Sequence, residues 1–300
     1  MGMAGGRTEI QVGQIRSTSS NAIPLAFGAP RLVSPRIAIC FFGITRSLTH
    51  TIGSIEANIL APAREVGEVR IFAHFFRQTE IDNPRSGEKG AFRQDEHTLL
   101  NPDWLELEDP ELCLAEHDFE GLKTYGDLWN DDFRSLRNLV HQLHSLNRVT
   151  DAALAGGGDV FIFARPDLFY HDSFAPLLGG KLPSDRIFLP NWQRWGGGYN
   201  DRFAIATSER MARLYGKRVG QMTEFCEARQ APLHAELLLK YALGNHRRNV
   251  KPHSLRASRV RLGGKTREED FMDARLRRPL KIVKWLRNKV IYSESSGSRN

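Results

Sequence analysis

The stretch Asp159-Val-Phe-Ile-Phe-Ala-Arg-Pro-Asp-Leu-Phe-Tyr170 constrains this chain more than any other. Its apolar run, Val160 to Ala164, follows the glycines Gly156 to Gly158 and is stopped by Pro166. A short run rich in β-branched and aromatic residues, bounded by Gly and Pro, reads as a buried strand. Open α/β sheets bind ligands at the carboxyl ends of their strands, which is where Arg165 and Asp167 would sit. A fixed cation beside a fixed carboxylate suits a phosphorylated ligand, met directly or through a divalent metal. An ion pair in a plain surface turn is the competing reading.

The flanking sequence supports an α/β fold. Arg36-Ile-Ala-Ile-Cys-Phe-Phe-Gly43 reads as a strand, a helix is expected from Thr49 to Leu60 before Pro62, and Val69 to His74 reads as a second strand. Strand, turn, helix and strand within about forty residues make the βαβ unit of a parallel sheet. Residues 78–115, with three prolines and many charges, read as an insertion or long loop. From Asp131 to Ala155, Phe133, Leu136, Val140, Leu143, Leu146 and Val149 recur at spacings of three and four, the stripe of a core-facing helix. A strand is expected at 186–190 and an apolar segment at 203–206. Helices are expected from Ser208 to about Val219 and from Pro232 to about Leu243.

Three hundred residues suit one large α/β domain or two modest ones, and 41% hydrophobic residues can bury a substantial core. Cys40, Cys113 and Cys226 are odd in number and far apart, so neither a disulfide framework nor a zinc site is expected. No apolar run reaches the length of a membrane span. Residues 1–34, rich in Gly, Ser, Thr and Ala, lack a signal-peptide core and read as a loosely ordered leader. The charge is uneven. Arg247 to Lys289 holds 15 Lys/Arg against four acids, net +11, which leaves the rest at −4 within a total of +7. The division expected is a leader to 34, a catalytic domain over 35–246 and a basic tail over 247–300. Within the tail, 279–290 has the pattern of an amphipathic helix, with Leu280, Val283, Leu286 and Val290 among Lys281, Lys284, Arg287 and Lys289. An anionic membrane surface is the partner it fits best, at about 1 kcal/mol per basic residue. Nucleic acid is the less favoured one.

Several residues are candidates for chemistry. Gly43 permits close backbone approach and Arg46 could meet a phosphate, although the loop is neither a Walker motif nor a GxGxxG fingerprint. The loop Asn191-Trp-Gln-Arg-Trp-Gly-Gly-Gly-Tyr-Asn-Asp201 combines mobile glycines, aromatics that stack on rings, and Asn200 and Asp201 as hydroxyl partners. A tryptophan cluster packed under the loop is the structural alternative. His234 and Glu236, near a helix start, could serve a site or only favour the helix terminus. His74 reads as a core histidine or a site residue, and His141 and His144 as members of a half-exposed helix face. No His/Asp/Glu set has metalloenzyme spacing.

The order of these motifs resembles a family of bacterial glycosyltransferase-like proteins with a GT-A-type fold, linked to lipopolysaccharide or other surface-polysaccharide synthesis. Its carriers are Ile37 to Arg46, the strand reaching His74, Gln142 to Leu146, Phe163 to Leu168, Asn200 to Ala206 and His234 to Leu238. The resemblance implies a GT-A-like (Rossmann-type) mixed, mostly parallel sheet flanked by helices. It implies transfer of a sugar from a nucleoside diphosphate sugar to a glycan or lipid-linked acceptor, in the cytoplasm at the inner membrane face. By it, Gly43, Arg46, Arg165 and Asn200 would bind the nucleotide sugar. Asp167 would hold Mn²⁺ or Mg²⁺, Asp201 would contact sugar or acceptor, and Glu236 would be the base. The chain departs from the pattern in one place: Ala164-Arg-Pro-Asp167 stands where Asp-x-Asp is usual, which leaves metal dependence open. A sulfotransferase using Gly43 to Ser47 as anion loop, and a non-catalytic protein acting through its basic tail, are the alternatives.

Overall fold

The computed structural model describes residues 34–83, 87–180 and 182–276. Arg36–Gly43 forms β1, buried from Ile37 to Phe42 because its side chains alternate between two covered faces. Ile37, Ile39 and Phe41 join one hydrophobic layer, and Ala38, Cys40 and Phe42 the other. Leu48–Ile55 (α1) then runs through a π turn at Glu56–Leu60 into Ala61–Val66 (α2). The helix therefore passes the stop expected at Pro62. A helical proline removes the donor owed to the carbonyl four residues back. Here the orphaned Asn58 carbonyl accepts from the Phe174 N–H at 2.8 Å, and the π turn absorbs the misfit.

Glu68–Phe76 (β2) pairs in parallel with β1. The described residues of 78–115 hold more regular structure than the prolines of this stretch indicate. Glu80–Asn83 (β3) and Glu88–Ala91 (β4) pair antiparallel, and Trp104–Glu108 (β5) adds a parallel edge strand to β2. Pro110–Ala115 (α3) and Phe119–Lys123 (α4) are each capped by the aspartate before them, Asp109 and Asp118. Arg134–Gly156 (α5) buries Leu146 and Val149 of the predicted stripe against β1 and β2, and Leu136, Val140 and Leu143 against the helical residues Val219, Met222, Phe225 and Leu238, while Phe133 stands just before the helix. It buries His141 and His144 as well, against the half-exposed face expected for them.

Val160–Ala164 (β6) is buried throughout, followed by Leu168–Tyr170 (β7), Ala175–Leu178 (α6), Ile187–Pro190 (β8) and Ala204–Ala206 (β9). Glu209–Gly216 (α7), capped by Ser208, is shorter than expected, and Met222–Arg229 (α8) is a helix that periodicity did not single out. Ala235–Leu243 (α9), Val250–His253 (β10) and Ala257–Arg259 (β11) complete the elements that matter here. The sheet order is β10-β8-β9-β6-β1-β2-β5, with β9 antiparallel to both neighbours and the other pairs parallel. This is the expected α/β class, a mixed, mostly parallel sheet flanked by helices: α1, α2 and α6 cover one face, and α5, α7 and α9 the other.

The boundary expected at 246 is corrected. β10 extends the main sheet through β8, and β11 pairs antiparallel with β7 in a separate two-stranded sheet, so both strands pair with partners from before residue 246. The amphipathic helix expected at 279–290 and the leader at 1–33 lie outside the described residues. Among the described residues, no helix is long and apolar enough to cross a membrane.

Burial of two histidines has a consequence for pH. Burial pushes His141 down to about 4 and His253 down to about 3. Unfolded imidazoles bind protons below about 6.5, so between the two values the unfolded chain holds more protons. Stability is complete above about pH 6.5 and falls as the pH drops toward 4. By pH 5 the expected loss is roughly 2 kcal/mol per imidazole, read from urea midpoints at pH 7 and pH 5.

Candidate functional site

β1 ends at Gly43, whose φ of +104° is a conformation that favours glycine. Its N–H donates to Ser145 Oγ at 3.0 Å, so this amide is committed to the fold and does not face a phosphate. The N-terminus of α1 is also occupied: Glu96 accepts from the Leu48 N–H at 2.7 Å and the Thr49 N–H at 3.3 Å. An acid already neutralises the helix end that an anion loop would offer. The sulfotransferase reading loses its site for that reason.

β6 delivers Arg165 and Asp167 to the carboxyl edge of the sheet as predicted. The backbone around them is held at several points. The Arg165 N–H donates to the Tyr170 hydroxyl at 3.0 Å, and the Asp167 carbonyl accepts from the Val260 N–H at 2.9 Å. Arg165 grips the carboxylate with a fork, Nε to Oδ1 and Nη2 to Oδ2, both at 2.9 Å. Arg46 adds Nη2 to Oδ2 at 3.2 Å. Asp167 has 0% exposure. Burial alone would raise its carboxyl, but the guanidiniums of Arg165 and Arg46 outweigh it and hold the group well below the usual range.

Around this triad the fold assembles charges that lie far apart in sequence. Glu88 on β4 bridges Arg46 (3.3 Å) and Arg261 (2.6 Å). Glu269 bridges Arg259 (2.9 Å) and Arg202 (3.5 Å), with Gln193 donating to the same carboxylate at 2.6 Å. Five arginines thus share three carboxylates, an excess of two positive charges. Burial and the nearby Arg259 push Arg202 down to about 10, so cations are crowded here. Arg259 and Arg261 keep side-chain exposures of 21% and 16%, enough to reach a bound anion. Arg202, Arg259, Arg261, Glu88 and Glu269 were missed in the sequence. The alternation Arg259-Val-Arg261, which runs out of the short strand β11, was the available signal.

The remaining candidates divide. Asp201 neighbours the cluster through Gln142, which donates to it at 3.3 Å and accepts from Arg165, and it is paired with Arg218 at 3.7 Å, so the excess of two positive charges is unchanged. Asn200 is bonded within its own loop: its Nδ2 donates to the Trp192 carbonyl at 2.8 Å and its Oδ1 accepts from the Arg202 N–H at 3.0 Å. It is a strut inside the loop. Trp192 is likewise buried, whereas Trp195 is half exposed on the glycine-rich turn. Glu236 lies 3.2 Å from His234 Nδ1 and makes no described hydrogen bond to Arg165 or Asp167. The loop packs on the start of α9, where a Cβ on Gly198 would sit 2.3 Å from the Glu236 carbonyl oxygen.

A cleft of about 230 Å³ opens beside Thr45 at the carboxyl ends of β1 and β2, walled by Phe75, Phe76, Gln78, Asp95 and Leu107. A smaller one of about 90 Å³, around Arg36 and Glu68, lies at the opposite ends of these strands and shares no residue with the arginine cluster.

The residues present do not fit a divalent ion at Asp167. Both carboxylate oxygens already accept from guanidiniums. Among the described residues, the two groups with metal-ligand geometry are Cys113/His117/His144 and His74/Glu108/His144, and neither contains Asp167. Its carboxylate is the counter-ion of two arginines.

No protein-family model matches the chain, and no curated protein does. Among solved structures it is similar to the galactosyltransferase LgtC, determined in complex with donor and acceptor sugar analogues. The TM-score is 0.39 at 13% identity over 72% of each chain. A likeness this distant carries no argument about function.

Proposed function

We propose that the chain is a glycosyltransferase that moves a sugar from a nucleoside diphosphate sugar to a glycan or lipid-linked acceptor. The observation that supports this reading is the excess of guanidinium over carboxylate at the carboxyl ends of β1 and β6. When the acceptor oxygen bonds to the anomeric carbon, the bond from that carbon to the diphosphate breaks and the electron pair leaves on phosphate. Fixed guanidiniums stabilise that charge without reorganising. Arg259 and Arg261 meet the diphosphate from the rim, with Arg46 and Arg165 behind them. The cleft beside Thr45 takes the base against Phe76 and Gln78. Glu236 receives the proton of the acceptor hydroxyl, and Trp195 offers a ring face to the sugar. A role in surface-polysaccharide synthesis, at the inner face of the membrane through 279–290, belongs to the same proposal.

Titration calorimetry with UDP, GDP, CMP, ADP and dTDP, each in EDTA and in Mn²⁺, tests it. One nucleotide is expected to bind in EDTA. Arg259→Ala and Arg261→Ala should each weaken it at least tenfold, since a hydrogen bond to a charged group is worth about 1.5–3 kcal/mol. A folded wild-type protein that binds none of the five ends the proposal.

A further inference from the structure

A second cluster of potential metal ligands forms at the carboxyl ends of β2 and β5, separate from the arginines. His74 Nε2 lies 3.0 Å and His144 Nε2 2.8 Å from Glu108 Oε2, and the three ligand atoms all fall within 4.8 Å of one another. We propose that His74, Glu108 and His144 hold a divalent transition-metal ion, zinc by its donor set, through those three atoms. Two imidazoles and one carboxylate make a three-ligand zinc site whose fourth tetrahedral position is left to water or another ligand. Metal bonds of about 2.0–2.2 Å place tetrahedral ligand atoms about 3.3–3.6 Å apart, so the contacts of 3.0 and 2.8 Å need to open by about 0.3–0.8 Å.

The surrounding hydrogen bonds argue for the ion independently. His74 Nδ1 is 3.1 Å from Ser145 Oγ, whose hydroxyl also lies 2.8 Å from the His74 carbonyl and accepts from the Gly43 N–H. A serine has one proton. If neutral His74 donates from Nε2 to Glu108, its Nδ1 and its carbonyl compete for that single proton. With Nε2 on a metal, Nδ1–H donates to Ser145 Oγ and the Ser145 proton goes to the carbonyl, so each partner is satisfied. Doubly protonated His74 would also satisfy them, at the cost of a charge on a side chain with no exposure. His144 permits the same arrangement: its Nδ1 lies 3.0 Å from His117 Nε2, and when Nδ1–H donates there Nε2 is left for the ion. Metal-binding histidines are held in this way by the partner of their second nitrogen. Glu106, 4.0 Å from His74 Nε2, is kept aside by Arg148. Sequence spacing could not reveal this set, because its members come from β2, β5 and α5.

Cobalt and zinc titrations of the full-length chain, stripped with EDTA and desalted, test the site. One equivalent of Co²⁺ is expected to give the visible bands of a tetrahedral ion with no thiolate-to-cobalt band, and Zn²⁺ should displace it. His74→Ala and His144→Ala should each weaken binding at least tenfold, while Cys113→Ser binds as wild type. A thiolate band, or loss of binding in Cys113→Ser, would place the ion in the Cys113/His117/His144 group and overturn the assignment. So would a folded His74→Ala that binds as wild type, or a folded wild type that binds neither ion. Should the alanine variants not fold, His74→Gln and the wild-type spectrum carry the test.

Discussion

Asp167→Ala is expected to cost the fold about 3–5 kcal/mol, the usual result of removing one partner from a buried charge pair. The substitution leaves the Arg165 fork and the Arg46 guanidinium facing each other across the space where both found their acceptor. Against a typical total of about 5–15 kcal/mol this is a large share. Guanidinium unfolding of wild type and variant measures it, and a loss below about 1 kcal/mol would show that Asp167 does not balance the cluster. The double variant Arg165→Met/Asp167→Leu, which removes charge from both sides, should recover much of the loss. The pH dependence has the opposite range to that of the histidines. Because the folded carboxyl is depressed, its contribution is complete above the ordinary carboxylate range of about 4 and is lost only as pH falls through the lower folded value. An inactive Asp167→Ala would therefore say little about catalysis unless its folding is measured alongside.

Trp192→Ala is the second large effect, expected at about 3–5 kcal/mol. The indole is fully buried, stands edge-on to Phe271 with ring centroids 5.0 Å apart, and donates from Nε1 to the Leu255 carbonyl at 2.9 Å. The Arg202 guanidinium lies 5.6 Å from its ring centroid. The residue thus ties the loop after β8 to the segment that carries Arg259 and Glu269, and its loss should loosen the arginine cluster as well as the core. Denaturation together with nucleotide titration reads both effects. Trp195→Ala, at 50% exposure, should change stability by no more than about 0.5 kcal/mol. Equal losses for the two variants would contradict this division of roles.

The elements legible in the sequence are those whose signal is local. β1 and β6 are unbroken apolar runs closed by Gly or Pro, and the stripe of α5 recurs from Phe133 to Val149, over nearly five turns of helix. β5 escaped notice because its five residues, Trp-Leu-Glu-Leu-Glu, alternate with acids inside a proline-rich stretch and lie at a sheet edge. The break expected at Pro62 failed because its physical cause, an orphaned carbonyl, was cured by Phe174, a residue more than a hundred positions away.

The sequence by itself determined that an α/β sheet forms and that Arg165 and Asp167 stand at the end of a buried strand, since side-chain period and proline geometry act over a few residues. Only the tertiary structure decided what those charges do. Arg46 reaches Asp167 across 121 positions and Arg261 reaches Glu88 across 173. His74 and His144 meet over Glu108 only once β2, β5 and α5 are packed. Electrostatic and ligand roles depend on distances of a few ångströms, and those distances are set by packing rather than by neighbours along the chain.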